Sequence, residues 1–237
     1  MRVAVVIPTR NEAGAIGCVL RDIPQPPVTD IVVVDAQSTD GTPAIAARLG
    51  ARVINEPRRG YGRACLTGID HVTTSDVIVF LDGDYSDRPQ ELPTLIAPIL
   101  GGHADIVIGS RLAGHRMRGA LAWHSVIGNW VAAALIRRLY GIHITDLGPF
   151  RAARADVIRQ LQLHETSYGW AVELILRGAL VGARISEVPV SYHPRIGRSK
   201  ITGTVRGSMG AAWYIFARIF QYRWRWMTTR RSSYVGR

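Results

Sequence analysis

Four short runs of apolar, mostly β-branched residues punctuate the first half of the chain: 3–7 (Val-Ala-Val-Val-Ile), 31–34 (Ile-Val-Val-Val), 77–81 (Val-Ile-Val-Phe-Leu) and 105–108 (Asp-Ile-Val-Ile). Their apolarity is continuous rather than alternating, the pattern of strands covered on both faces. Stretches with helical spacing follow at 13–21, 42–49, 62–72 and 90–100. Alternation of strand and helix predicts an α/β fold with a mostly parallel, doubly wound sheet. Ligands of such sheets bind beyond the carboxyl ends of the strands, which directs attention to the residues that end each run.

Two later segments carry no charge: 123–136, where Ile127, Trp130, Val131, Ala134 and Leu135 share one helical face, and 207–217, bracketed by Arg206 and Arg218. Both are shorter than the roughly 20 residues a spanning helix needs. Core helices account for them as well as helices lying at a membrane interface do. Length and pattern together give an α/β domain over 1–205 and a basic, aromatic-rich helical appendage over 206–237.

Charge changes the picture only at the end of the chain. The net formal charge is +11, yet residues 1–187 hold 19 basic against 18 acidic side chains. From residue 188 onward there are ten Lys or Arg and no Asp or Glu, interleaved with Trp213, Tyr214, Phe216, Phe220, Tyr222, Trp224 and Trp226. Amphipathic rings and snorkelling cations suit an anionic membrane surface; a solvated tail is the plain alternative. Terminal placement of the charge and the lack of a recognisable motif argue against nucleic acid. Two isolated cysteines, Cys18 and Cys65, give neither a disulfide framework nor a zinc site. With no signal-peptide pattern after Met1, the expected address is cytoplasmic, peripheral at the inner membrane face.

The chemistry follows the strands. Asp82-Gly83-Asp84 directly succeeds the third run and sets two carboxylates one residue apart. Like charges that close call for a shared cation, and a hard divalent ion that also binds phosphate oxygens fits. On this triplet alone a polar turn is an equal reading. Around it stand Pro8-Thr9-Arg10-Asn11-Glu12, the segment Asp35-Ala36-Gln37-Ser38-Thr39-Asp40-Gly41-Thr42, the segment Arg59-Gly60-Tyr61-Gly62-Arg63-Ala64, and Gly109-Ser110-Arg111. This order and spacing resembles the family 2 glycosyltransferases of GT-A (Rossmann-like) fold over roughly residues 3–200. Arg195-Ile196-Gly197-Arg198-Ser199-Lys200 resembles the Arg-x-x-Gly-x-Ser-Lys element of the polyprenyl-phosphate branch, which includes dolichyl-phosphate mannose and glucose synthases.

The resemblance implies an inverting transfer of a hexose from a UDP- or GDP-linked donor to a polyprenyl phosphate. Mg2+ or Mn2+ would sit on Asp82 and Asp84, Asp84 the more direct. Pro8, Asn11, Glu12, Asp35 and Arg63 fall on the nucleotide-sugar side, a cap or turn role being the alternative for Asp35. Gly60 and Gly62 let backbone approach the diphosphate, with Arg59 or Arg63 supplying charge, and a glycine-rich turn for its own sake is an equal reading. A lipid phosphate is anionic already and needs cations to place it rather than a general base. Arg111, Arg195, Ser199 and Lys200 supply them; Lys200 is the only lysine in the chain. Asp84, Arg111 and Lys200 are thus the expected catalytic residues; Asp146 is a candidate to orient the sugar or the catalytic groups, with a cap as the alternative, and Glu173 is a candidate sugar ligand, with a paired structural carboxylate as the alternative. Two departures from the family pattern stand out: Ala36 where many relatives have a second acid, and Gly148-Pro149 in place of Ser-Gly. A soluble acceptor, or nucleotide binding without catalysis, are the competing functions.

Overall fold

The computed structural model describes residues 1–197 and 215–224. A seven-stranded sheet runs in the order β3-β2-β1-β4-β6-β5-β7. The four expected runs form β1 (Val3–Thr9), β2 (Val28–Asp35), β4 (Val77–Phe80) and β5 (Ile106–Ser110). β1 pairs in parallel with both β2 and β4, and β5 in parallel with β7 (Ile185–Pro189). Only β6 (Arg151–Arg154) runs against its neighbours, wedged between β4 and β5. The GT-A-like sheet is therefore mixed by a single strand.

Successive strand residues point to opposite faces, and both faces are covered. Val3, Val5 and Ile7 pack under α1 (Ile16–Asp22), α2 (Thr42–Arg48) and α4 (Leu92–Leu100). Ala4 and Val6 pack under α3 (Tyr61–His71), α6 (Ala155–Gln160) and α7 (Trp170–Leu180). Fit is tight where α3 crosses β1: a Cβ on Gly68 would sit 2.2 Å from Val6 Cγ1. A third apolar cluster joins α5 (Trp123–Tyr140), α7 and α8, the helix over residues 215–224, through Ile136, Ile175 and Ile219.

Several expectations shift. α1 starts at Ile16 rather than Ala13, and a 3-10 turn over Pro89–Glu91 precedes α4. α5 extends to Tyr140 and stops at Gly141, whose φ of +72° is left-handed. On α5 the buried face is not the expected one: Ala132, Ala133 and Ile136 are buried, whereas Ile127 and Trp130 face outward with Trp123, and Val131, Ala134 and Leu135 are half-buried. Most of the uncharged stretch 207–217, along with Ser199 and Lys200, lies outside the described residues.

Candidate active site

The carboxyl ends of β1, β2 and β4 open on one cavity of about 310 Å3. Pro8, Thr9 and Glu12 come from the end of β1 and the residues after it, Ala36 from just after β2, and Asp82 and Asp84 from just after β4. Arg59, Gly60 and Tyr61 close it from the start of α3; Ser167 and Tyr168 close it from the loop before α7.

Asp84 is buried, and its Oδ1 accepts from the Ser86 backbone N–H (2.9 Å) and hydroxyl (2.6 Å). Its Oδ2 lies 2.8 Å from Arg195 Nη2, which also stands 3.5 Å from Glu12 Oε1. The strand-like segment after β7 delivers that arginine: His193 N–H donates to Ser86 O and Ile196 N–H to Asp84 O. Among the described residues Asp82 Oδ1 is buried without a hydrogen-bond partner. Burial, followed by the charge of Asp84, pushes the Asp82 carboxyl up to about 7. An orphaned oxygen on one carboxylate and a guanidinium on the other are what a shared cation site presents, so the pair fits a hard divalent ion. Among the described residues no three His, Cys, Asp or Glu side chains form a metal cage. The remaining ligands would be phosphate oxygens and water, as Mg2+ prefers.

A second cavity, also about 310 Å3, meets the first at Tyr61, Asp82, Asp84, Tyr168 and Arg195. Arg111 stands at its inner end, just beyond β5, almost fully buried. Asp146 holds it with both oxygens: Oδ2 accepts from Arg111 Nε (2.7 Å) and Oδ1 from Nη2 (2.8 Å). Burial alone would raise the Asp146 pKa, but the Arg111 charge and these bonds outweigh it and hold the carboxyl below its ordinary value. Glu187 of β7 fixes the Asp146 loop in turn, accepting from the Thr145 and Asp146 backbone N–H groups. The cavity runs between α5 and α8, where Leu121, Ala132, Leu147, Ile215 and Phe216 line it together with His124, Ser125 and Asn129.

The structure thus brings together Pro8, Glu12, Asp82, Asp84, Arg111 and Arg195. It sets the others apart. Asn11 lines neither cavity; its side-chain oxygen accepts from Thr39 N–H and its own N–H donates to Ser38, which locks the turns after β1 and β2 together. Asp35 is buried behind the cavity and accepts from Thr9 and Ser38, because the pleat turns it away and presents Ala36. Arg59, not Arg63, borders the cavity. Gly60 and Gly62 leave room for protein backbone: a Cβ on either would lie 2.3 Å from the carbonyl oxygen of Thr166 or Glu165 respectively. Asp146 and Glu173 are fully buried, line neither cavity and spend their oxygens on protein donors, Asp146 orienting Arg111 and Glu173 paired with Tyr222 and the loop before α7. Arg116 and Arg118 are exposed and line neither cavity.

Two residues escaped sequence reasoning. Asp87, 1% exposed, has both carboxylate oxygens without hydrogen-bond partners among the described residues, and burial with the charges of Asp82 and Asp84 raises its pKa well above the carboxylate range. Arg151, the first residue of β6, lines the second cavity while donating to the carbonyls of Leu147, Gly148 and Ala171, with no carboxylate in ion-pair reach. Asp87 belongs to the run Asp82-x-Asp84-x-x-Asp87, a visible third acid; Arg151 carries no signal in its neighbourhood.

Residues 4–162 match the family described as Glycosyl transferase family 2. An uncharacterised glycosyltransferase of Mycobacterium tuberculosis is 38% identical over 210 residues, 87% of this chain and 93% of its own. Undecaprenyl-phosphate mannosyltransferase of Micrococcus luteus is 33% identical over 222 residues, 87% of this chain and 90% of its own. Among solved structures, glucosyl-3-phosphoglycerate synthase from Mycobacterium tuberculosis, in complex with Mn2+, UDP and phosphoglyceric acid, superimposes with a TM-score of 0.76. It is 22% identical and covers 94% of this chain and 78% of its own, a likeness of fold.

Proposed function

Since the chain belongs to glycosyl transferase family 2, we propose that it moves a hexose from a UDP- or GDP-linked donor to a polyprenyl phosphate, with inversion at the anomeric carbon. The observation that carries this reading is the meeting of two cavities at Asp82 and Asp84. One is rimmed by strand-end polar groups. The other holds the buried Arg111 and extends between α5 and α8 past Leu121, Ala132, Ile215 and Phe216, with His124, Ser125 and Asn129 among them, room for an amphipathic acceptor with an anionic head. The Micrococcus luteus relative, named for undecaprenyl phosphate, supports the same acceptor class.

In this reading Asp82 and Asp84 hold Mg2+ or Mn2+ against the donor diphosphate, where such an ion neutralises the charge gathering on the leaving group. The chain's own residues position and desolvate. Asp146 keeps the Arg111 fork rigid, so its free N–H groups meet the acceptor phosphate with little entropy left to lose. Ser199 and Lys200, the other expected acceptor-phosphate residues, lie outside the described residues. No side chain need take a proton from a phosphate that is already ionised.

The membrane-facing surface in this proposal is that of α5 and α8. Trp123, Ile127, Trp130, Phe220 and Trp224 are exposed there, the two largest exposures being 73% for Trp123 and 69% for Trp224. No Asp or Glu occurs over 112–145 or after 187, so both elements present cations only. Each such cation near an anionic leaflet contributes about 1 kcal/mol. Among the described residues no helix is long and apolar enough to cross a membrane. The site would then sit peripherally at the cytoplasmic leaflet, with 206–237 as the attached element.

Incubation with Mg2+, a short polyprenyl phosphate and radiolabelled UDP- and GDP-sugars tests this directly. Label in the organic phase, abolished by EDTA and by Asp84→Ala, is the expected result. Nucleotide release with all label left in water would replace the lipid by a soluble acceptor.

A further inference from the structure

Helix α8 lines the second cavity with Ile215 and Phe216, yet its polar side chains reach the loop that walls the first. Arg218 Nε lies 2.9 Å from Glu165 Oε1. Tyr222 donates its hydroxyl to Glu173 Oε1 at 2.6 Å. Glu173, wholly buried on α7, spends its other oxygen on the backbone N–H groups of His164 (2.9 Å) and Glu165 (2.7 Å). Arg177 backs the arrangement, with Nε 3.1 Å from Glu173, an N–H donated to Leu161 O, and its guanidinium 5.8 Å over the Tyr222 ring.

From that loop the path to the first cavity is short. Arg63 N–H donates to Thr166 O at 3.1 Å, and the loop carbonyls fill the space that side chains on Gly60 and Gly62 would occupy. Gly60, Tyr61, Ser167 and Tyr168 then form the cavity wall. Two buried carboxylates therefore stand between the helix beside one cavity and the backbone beside the other. Each takes part of its compensation from α8: a cation for Glu165 and a hydroxyl for Glu173. Withdrawing those partners leaves buried anions under-satisfied, and the loop backbone that Glu173 clamps is what can relax.

We propose that Glu165 and Glu173 are positioning residues for the donor, holding the 164–168 wall in its nucleotide-binding shape only while α8 is seated. This rests on the reading that the first cavity receives the nucleotide. Because such linkage is reciprocal, whatever engages α8 from the acceptor side raises donor affinity by the factor that donor raises its own.

The test is calorimetric titration of the full chain with UDP and GDP in Mg2+, without acceptor or membrane, well below the melting temperature. Arg218→Gln and Tyr222→Phe remove the two links while leaving every residue of the first cavity in place. Weakening on the order of 5- to 150-fold in the double variant is expected, with Arg218→Lys restoring most of the loss in the single. Amide exchange over 164–168 is expected to speed up in both single variants, a readout that serves if the double variant does not fold. Wild-type affinity retained by a folded double variant, or unchanged exchange in both singles, overturns the linkage. Failure of the wild-type chain to bind either nucleotide overturns the donor reading itself, a separate result.

Discussion

Asp146→Ala isolates the most heavily bonded ion pair of the site. The carboxylate is fully buried and accepts four hydrogen bonds: three from Arg111, through N, Nε and Nη2, and one from Leu147 N–H. Its removal leaves the Arg111 guanidinium buried without its counter-charge, a change that costs about 3–5 kcal/mol. For a chain of this size each kcal/mol lowers the melting temperature by roughly 2–4 °C, so a fall of roughly 6–20 °C is expected. The paired variant Arg111→Met with Asp146→Leu removes both charges and refills the volume. Buried pairs replaced this way are commonly neutral to stability, so the loss seen by urea unfolding is expected to be that of the two backbone N–H groups, of Arg111 and Leu147, left without their acceptor, about 1–3 kcal/mol each. Sugar transfer in the same paired variant is expected to be lost, since the acceptor phosphate has no fork to meet. An Asp146→Ala protein melting within 2–3 °C of wild type, or a paired variant that transfers sugar normally, would refute the reasoning.

Other expectations follow from single features. Asp82 has its carboxyl raised to about 7, so the folded protein holds that proton more tightly than the unfolded chain does. That proton's contribution to the stability of the cation-free protein therefore falls as pH rises from about 4 to about 7, and Asp87, raised in the same direction, adds to the fall; melts at stepped pH check the slope, and Asp82→Asn reduces it. Proton competition at the same group makes Mn2+ affinity fall about tenfold per pH unit below 7, measurable by paramagnetic titration. Gly62→Ala would press a methyl to 2.3 Å from Glu165 O and 2.7 Å from Trp170 Cβ, an overpacking of about 1–3 kcal/mol, whereas Gly128→Ala on α5 meets nothing within 4 Å and should gain up to about 1 kcal/mol. Trp130→Glu and Trp224→Glu are expected to abolish sedimentation with anionic liposomes while leaving the melting temperature within a few degrees, since both rings face outward.

What could be read in the sequence depended on whether burial was two-sided and local. β1, β2, β4 and β5 declared themselves because helices cover both faces and demand Val and Ile in unbroken runs. β6 did not: its sequence Arg-Ala-Ala-Arg has neither β-branching nor alternation, and only the slot between β4 and β5 makes it a strand. The carboxylate pair was legible from its place after an apolar run. The orientation of Asp35 was not, since the pleat decides which of two consecutive residues faces the ligand. Ser167 and Tyr168 enter the first cavity from a loop more than eighty residues beyond the Asp82-Gly83-Asp84 triplet, where nothing local marks them. Glu173 read as a choice between paired carboxylate and sugar ligand, and burial against Tyr222 and Arg177 decides it.

The reversed strand has a metric consequence. β6 separates β4, which ends just before Asp82 and Asp84, from β5, which ends just before Arg111, and its own first residue Arg151 pairs with Phe80 on one side and Ile108 on the other. Adjacent strands are held about 4.8 Å apart by their hydrogen bonds, so the strands that lead into the carboxylates and into Arg111 are held about 10 Å apart by the ladder. In the proposed transfer the sheet thus acts as a ruler, setting from the backbone how far apart the two strand ends stand between which donor and acceptor would meet.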